Sequence, residues 1–327
     1  MSFLQSLKKT FVDDPKRRTK KIYYWCFHVL GMYFSFLYLP YYYLYVRRLQ
    51  RIGKDGRVGM MQVASLIVRG CNLRCEYCTT FSPSRKGVFP ADDLIASYRE
   101  WRKKLKPQFF FLSGGEPFLH PELERLVRES AKIWNESKLR LITNGLLLDR
   151  AKPELLRALR ETAFELLVTE HTFEPKHRKK LDAGYARLKQ EGIPFVVVPS
   201  RLTWAARYQY DNEKKGMEGQ DENPVPYNSD PRMAWNHCKV CDCTAINGDQ
   251  LYKCVPLLSA NLAVQEGILN ADLWKAALTY SPPTLRSTPE EILELLRRQA
   301  MPECTVCPGK TAIVPARQLP SNKERMN

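Results

Sequence analysis

The chain of 327 residues lacks several things, and each absence narrows what it can be. No repeat of 20–50 residues is visible, which sets aside solenoids and propellers. No cleavable secretory signal is apparent: the first apolar run follows a long basic lead, and no small-residue cleavage site comes after it. Acids are scarce beside bases, 35 against 51, and the formal net charge is +16. From Ile22 to Leu39 there is not one Asp, Glu, Lys or Arg. An apolar content of 44% sets aside wholesale disorder.

The basic excess is concentrated. Residues 1–57 hold twelve basic side chains against three acids. A basic balance raises the question of nucleic acid. Here the charge brackets a Tyr-, Trp- and Phe-rich run, which points to an anionic membrane surface, and nucleic acid is not expected as a partner. An uncharged run of 18 residues is at the lower limit for crossing a bilayer. Three readings stay open for residues 22–46: an anchor lying on the membrane, a true span, or a helical hairpin packed on the protein's own surface. The expected location is cytoplasmic, with membrane association through this segment.

Nine of the ten cysteines fall in two zones, 71–78 and 238–307. Short spacings in a chain without an export signal favour metal ligation over disulfides. From Gln62 the chain reads strand, loop, helix in alternation: strands at Val63–Val68, Phe109–Leu112, Leu139–Thr143, Phe164–Thr169 and Pro194–Val198, and helices at Ala91–Leu105, Glu122–Trp134, Pro153–Arg160 and Pro175–Glu191. That alternation predicts βα units and a parallel sheet. Beyond Pro199 it stops, and residues 209–231, rich in Asn, Asp, Glu, Gly and Pro, read as a linker.

Cys71, Cys75 and Cys78 follow a predicted strand with spacings of three and two residues. Three thiolates on one loop can hold three corners of a [4Fe–4S] cube and leave the fourth iron open. Tetrahedral zinc with a fourth ligand from elsewhere is the alternative. After the next strand come Ser113, Gly114, Gly115, Glu116 and Pro117. Ligands bind at the carboxyl ends of strands in such sheets, so this segment is expected to face the cysteine loop, with Glu116 able to accept from an ammonium group.

In the second zone, Asn247-Gly248 between two short apolar segments predicts a hairpin leading to Cys254. Cys238, Cys241 and Cys243 precede it, and Cys304-x2-Cys307 closes the zone. Four cysteines in two pairs also suit a zinc ribbon.

Cys-Asn-Leu-Arg-Cys-Glu-Tyr-Cys at 71–78, Gly114–Pro117 and Thr143-Asn144-Gly145 together resemble the motifs of the radical S-adenosylmethionine (SAM) superfamily, over roughly residues 62–200. The resemblance implies an α/β fold, a partial (β/α)6 barrel, with a small C-terminal auxiliary-cluster domain. It implies that Cys71, Cys75 and Cys78 bind a [4Fe–4S] cluster, and that SAM chelates the open iron and is split reductively to a 5′-deoxyadenosyl radical that abstracts hydrogen from a substrate. Tyr77 would flank the adenine, Gly114, Gly115, Glu116 and Pro117 would serve the methionine amine, and Asn144 and Thr169 would stand at the ends of the third and fourth strands near the cofactor. Glu170-His171 replaces the common Asp-Gly after Thr169. Arg178 reads as a partner for the methionine carboxylate or as a solvated helix face.

The second zone resembles the auxiliary domains called Twitch or SPASM, with Cys238, Cys254, Cys304 and Cys307 as ligands of a second [4Fe–4S] cluster and Cys241 and Cys243 spare, or one of them in place of Cys238; the gap from Gly248 to Cys254 is one residue longer than the motif. Three or four protein ligands both remain open there. The implied organisation is an extension at 1–57, a radical SAM core at 58–208, a linker at 209–236, the auxiliary domain at 237–315 and a tail at 316–327. A peptide, sugar or lipid-linked substrate and an electron donor such as flavodoxin or ferredoxin are the expected partners. The alternative is a non-enzymatic zinc- or iron–sulfur-binding protein at a membrane.

Overall fold

In the computed structural model, residues 45–171, 174–199, 203–210, 224–238 and 242–316 are described. The chain divides into two units, 1–49 and 50–327. Of the first, one helical turn at Arg47–Leu49 is described, and the uncharged run at 22–39 lies outside the described residues. Among the described residues no helix is long and apolar enough to cross a membrane.

The second unit is built on five parallel strands in sequence order: β1 (Val58–Val68), β2 (Leu105–Gly114), β3 (Lys138–Thr143), β4 (Glu165–Thr169) and β5 (Phe195–Val198). Helices α1 (Ala91–Lys104), α2 (Leu123–Ile133), α3 (Pro153–Glu161) and α4 (Pro175–Gln190) return the chain between them. Each helix forms where the apolar residues recur at three and four positions. In α1, Leu94, Ile95, Tyr98 and Trp101 are buried, while Asp92 and Asp93 open the helix and Arg102, Lys103 and Lys104 close it, with the helix dipole. The seam between helices and sheet is aromatic. Phe110 of β2 stacks on Trp134 at 5.0 Å and meets the edge of Tyr98 at 5.1 Å. The Tyr98 hydroxyl donates to Ser65 of β1 at 2.8 Å.

The sheet is open and mixed, with an antiparallel pair of short strands, 244–247 and 250–252, placed outside β1 and then β1 to β5 in order. The predicted hairpin exists, as β9 (Thr244–Asn247) and β10 (Gln250–Tyr252). Its β9 pairs parallel with β1 through Val63–Thr244 and Ser65–Ile246, so it prolongs the barrel sheet. The Gly248 carbonyl at its turn accepts from Ser97 and Trp101 of α1, at 2.6 and 3.0 Å. The sixth strand that the barrel pattern asks for after β5 is displaced. Of the segments that follow, β6 (Thr203–Ala205) pairs antiparallel with β11 (Ile313–Pro315), and β7 (Gln209–Tyr210) pairs with β8 (Pro224–Val225). The fold is therefore a partial, unclosed parallel α/β barrel. Helix α5 (Pro231–Asn236), the buried α6 (Val255–Gln265), α7 (Lys275–Leu278) and α8 (Pro289–Arg297) complete the unit.

Candidate active site

The site is assembled at the carboxyl ends of β1, β2 and β3. Strand β1 ends at Val68 and delivers the chain to Cys71. Strand β2 ends at Gly114, with φ +133°, and Gly115 follows it. A Cβ on Gly114 would sit 2.4 Å from the Val68 carbonyl oxygen, and one on Gly115 would sit 1.9 Å from that of Gly70. The amides of Gly115 and Glu116 donate to those two carbonyls at 2.9 and 3.0 Å. The paired glycines thus let two strand ends touch and fix where the cysteine loop begins.

Glu116 is fully buried. Its Oε1 accepts from the Thr143 hydroxyl at 2.7 Å and from the Phe118 amide at 3.1 Å, and its Oε2 accepts from the Asn144 amide at 2.8 Å. Burial pushes its carboxyl up to about 7, against the pull of these three donors toward the charged form. The carboxylate faces the chain's own groups, while Ser113, Gly114 and Gly115 remain partly exposed beside the loop. The Nδ2 of Asn144 reaches Asn72 Oδ1 at 2.7 Å and Cys71 Sγ at 3.6 Å. The three predicted motifs are therefore linked through Glu116 and Asn144.

Within the loop, the Leu73 amide points at Cys71 Sγ at 3.4 Å, and Cys78 Sγ lies 3.3 Å from Thr80 Oγ1. Burial pushes the Cys71 thiol up to about 11. Tyr77, with φ +57°, turns its ring onto Tyr210 at 4.8 Å and Tyr208 at 5.7 Å. Phe81 stacks on Tyr208 at 4.9 Å. No motif in the sequence signals this aromatic wall against the cysteines.

At the end of β4, Thr169 donates to the Thr143 carbonyl at 3.4 Å, and His171 Nε2 lies 3.0 Å from Thr169 Oγ1. Burial lowers the His171 pKa. Arg178 is ion-paired with Glu170 at 2.8 Å and with Asp182 at 2.9 Å. These partners agree with the reading of Arg178 as a helix-face residue.

The second zone converges as well. Burial raises the thiols of Cys254, Cys304 and Cys307, the last to about 12. Each of the six pairs among Cys238, Cys254, Cys304 and Cys307 also interacts electrostatically, so a charge on one thiol disfavours a charge on the next. Cys243, raised to about 12, interacts with Cys238. Cys241 lies outside the described residues. Lys253, itself buried, donates from Nζ to the carbonyls of Leu295, Leu296 and Arg298 at 2.9, 2.6 and 2.5 Å, and its charge eases ionisation of Cys304. Arg207 does the same for Cys307 and Cys243. The Trp235 ring lies 5.4 Å from Lys253 Nζ. Neither cation announced itself in the sequence, because neither lies in a motif.

Among the described residues no group of three His, Cys, Asp or Glu side chains is gathered as one metal ion would gather it. A cube spreads its thiolates over separate irons and needs a wider setting than a single tetrahedral ion. The three thiols on the 71–78 loop suit one cube; the eight described cysteines are free thiols, and Cys238, Cys254, Cys304 and Cys307 interact electrostatically with one another.

The Radical SAM superfamily profile matches residues 65–190. GTP 3′,8-cyclase of Aquifex aeolicus is 32% identical over 118 residues, 34% of this chain and 35% of that protein. GTP 3′,8-cyclase of Microcystis aeruginosa is 38% identical over 99 residues, 29% of this chain and 30% of that protein. The chain thus spans about a third of the length of these curated relatives. Among solved structures, BtrN in complex with AdoMet and 2-DOIA is similar with a TM-score of 0.37 and 16% identity, over 60% of this chain and 73% of that one. Residues 65–190 form a radical SAM domain. Proteins of that superfamily bind a [4Fe–4S] cluster and SAM.

Proposed function

We propose that this radical SAM protein holds a [4Fe–4S] cluster on Cys71, Cys75 and Cys78, with one iron left open for SAM, and works as a hydrogen-abstracting enzyme. The observation that carries the reading is the link from Glu116 through Asn144 to Cys71, which joins the cofactor motif to the cysteine loop. A cluster of this kind, once reduced, supplies the electron that splits the sulfonium of SAM into methionine and a 5′-deoxyadenosyl radical. The chain's own residues bind and orient. Tyr77 offers a ring beside the last cysteine for the adenine, and the partly exposed backbone of Ser113–Gly115 offers acceptors for the methionine amine. Glu116 and Pro117 shape that turn from beneath, and Asn144 and Thr169 line the neighbouring strand ends.

Cys238, Cys254, Cys304 and Cys307 are read as ligands of an auxiliary [4Fe–4S] cluster in a Twitch-like region at 237–315, following a core at 58–208 and a linker at 209–236. Four thiolates would close every iron, which favours electron transfer over substrate chelation. The substrate is a small molecule, sugar or peptide, and a flavodoxin or ferredoxin suits the reductant. The basic, aromatic extension at 1–57 suits an anionic membrane surface and allows a lipid-linked substrate.

A nucleotide substrate is the second reading. Relatives named GTP 3′,8-cyclase favour it, on a matched stretch about a third of their length.

The test is anaerobic purification followed by incubation with SAM and dithionite. The expected outcome is brown protein with about eight irons that releases 5′-deoxyadenosine, and loss of that release in Cys71→Ala. Colourless protein containing zinc would overturn the proposal. Adding GTP alone as substrate, and following its consumption, separates the two readings of the substrate.

A further inference from the structure

Both shoulders of the cysteine loop end in arginines, and both arginines meet the same carboxylate. Arg69 directly precedes Gly70 and Cys71. Arg85 closes the turn that follows Cys78. Arg85 Nε and Nη2 donate to Glu266 Oε2 and Oε1, each at 2.7 Å, and Arg69 Nε lies 3.2 Å from Glu266 Oε1. The Arg85 side chain is 1% exposed. A guanidinium so deeply buried is tolerable only with a counter-charge in place, and the two-pronged geometry is the strongest form of that pairing.

The network continues toward the sulfurs. Arg85 Nη1 donates to the Thr80 carbonyl at 3.3 Å, and Thr80 Oγ1 lies 3.3 Å from Cys78 Sγ. Arg69 is braced by its guanidinium, 4.4 Å above the Phe89 ring, and by its amide donating to the Gly87 carbonyl at 3.0 Å. Glu266 caps the end of α6, and Cys254 caps its start. Eight of the helix's eleven residues are buried, and at 1.5 Å per residue it spans about 16 Å. One rigid element thus carries a second-site cysteine at one end and the clamp on the first cysteine loop at the other. Beyond it, Trp274 sets the edge of its ring against Phe81 at 5.8 Å.

We infer that Glu266 is a positioning residue for the cysteine loop, holding Arg69 and Arg85 from the end of the helix that starts at Cys254. The inference rests on the reading of Cys71, Cys75 and Cys78 as cluster ligands. Glu266→Gln keeps the shape but replaces two charged acceptors with one neutral acceptor and a donor facing Arg85. The loop then loses its anchor, while Cys238, Cys254, Cys304 and Cys307 keep their surroundings.

The test uses the full chain, reconstituted anaerobically, as wild type, Glu266→Gln and Arg69→Gln. The last removes the partly exposed arm of the clamp and serves should Glu266→Gln fail to fold. Each is reduced and examined by electron paramagnetic resonance with and without SAM, alongside iron content and SAM affinity. The expected result is a broadened or missing SAM-induced change in the first cluster's signal and SAM affinity weakened about tenfold, with the second cluster's signal unchanged. Affinity and SAM-induced change equal to wild type in whichever variants fold would overturn the clamp alone. Wild-type protein that takes up no iron would instead remove the reading beneath it, and the clamp with it.

Discussion

The backbone amide of Asn144 donates to Oε2 of Glu116 at 2.8 Å, so the end of β3 is fastened to the turn that follows β2. From that position Asn144 reaches Cys71 and Asn72. In Glu116→Gln, an Oε1 that keeps Thr143 and Phe118 leaves the amide NH2 facing the Asn144 N–H, donor against donor. The expected cost is about 1–3 kcal/mol for the unmade buried hydrogen bond, read from denaturant unfolding. The first site's iron should also be lost more readily on gel filtration.

The same carboxyl gives a pH signature. Burial holds Glu116 at about 7, above its ordinary 4.5. Between those values the folded chain keeps a proton that the unfolded chain has released. Stability therefore falls as pH rises through this window, by at most about 1.4 kcal/mol per pH unit. Unfolding midpoints measured from pH 5 to 8 should show this slope in the wild type and a flatter one in Glu116→Gln. Equal slopes would mean that Glu116 does not carry the effect.

Gly115→Ala puts a methyl group where the Gly70 carbonyl already stands, 1.9 Å away. Neither atom belongs to a flexible side chain, so the cysteine loop must move as a whole. A stability loss of about 3 kcal/mol is expected, together with failure to load iron at the first site. Normal loading would show that the loop tolerates displacement.

Much of this was legible in the sequence. The helices of the barrel were visible in the spacing of Leu94, Ile95, Tyr98 and Trp101, and the buried strands in their apolar runs. Strand β2 begins at Leu105, earlier than read, because Lys106 and Pro107 look unlike a strand interior; pairing of Leu105, Lys106 and Pro107 with Val58, Gly59 and Met60 holds the segment there. The hairpin at Asn247-Gly248 was visible as a turn, but its partner was not. Pairing of Thr244 with Val63 joins residues far apart in sequence, and local pattern carries no information about so distant a neighbour. The displaced sixth strand was hidden for the same reason, since β6 is held by β11 from near the chain's end. Glu116 was legible as a candidate site residue, but the direction of its carboxylate depends on burial, which a motif does not encode. The anchor read at 22–46 falls almost entirely outside the described residues.

Cysteine variants separate ligands from bystanders in the second zone. Cys307→Ala should lower total iron by about four per chain and remove one of two cluster signals. Cys243→Ala should keep both, because Cys254, Cys304 and Cys307 each interact with one another and with Cys238. Full loss in Cys243→Ala would exchange it for one of the four.

Lys253→Met withdraws an ammonium group that donates to three carbonyls around the end of α8. The Leu295 carbonyl keeps the Arg298 amide and the Leu296 carbonyl keeps Gln50 Nε2, so the loss should be about 1 kcal/mol. Removing a positive charge from beside Cys304 should also shift the second cluster's reduction potential to more negative values. A redox titration followed by electron paramagnetic resonance checks the sign, and an unchanged potential would mean that Lys253 serves only to close the helix.

The proposed chemistry requires an iron at the Cys71–Cys78 loop that no thiolate closes and that SAM can chelate. Electron–nuclear double resonance on the reduced wild-type protein, with SAM labelled by 15N at the methionine amine and 17O at its carboxylate, tests this directly. Hyperfine coupling from both labels to the first cluster is expected, absent in Cys71→Ala. A fully loaded first cluster with no coupling to either label would contradict it.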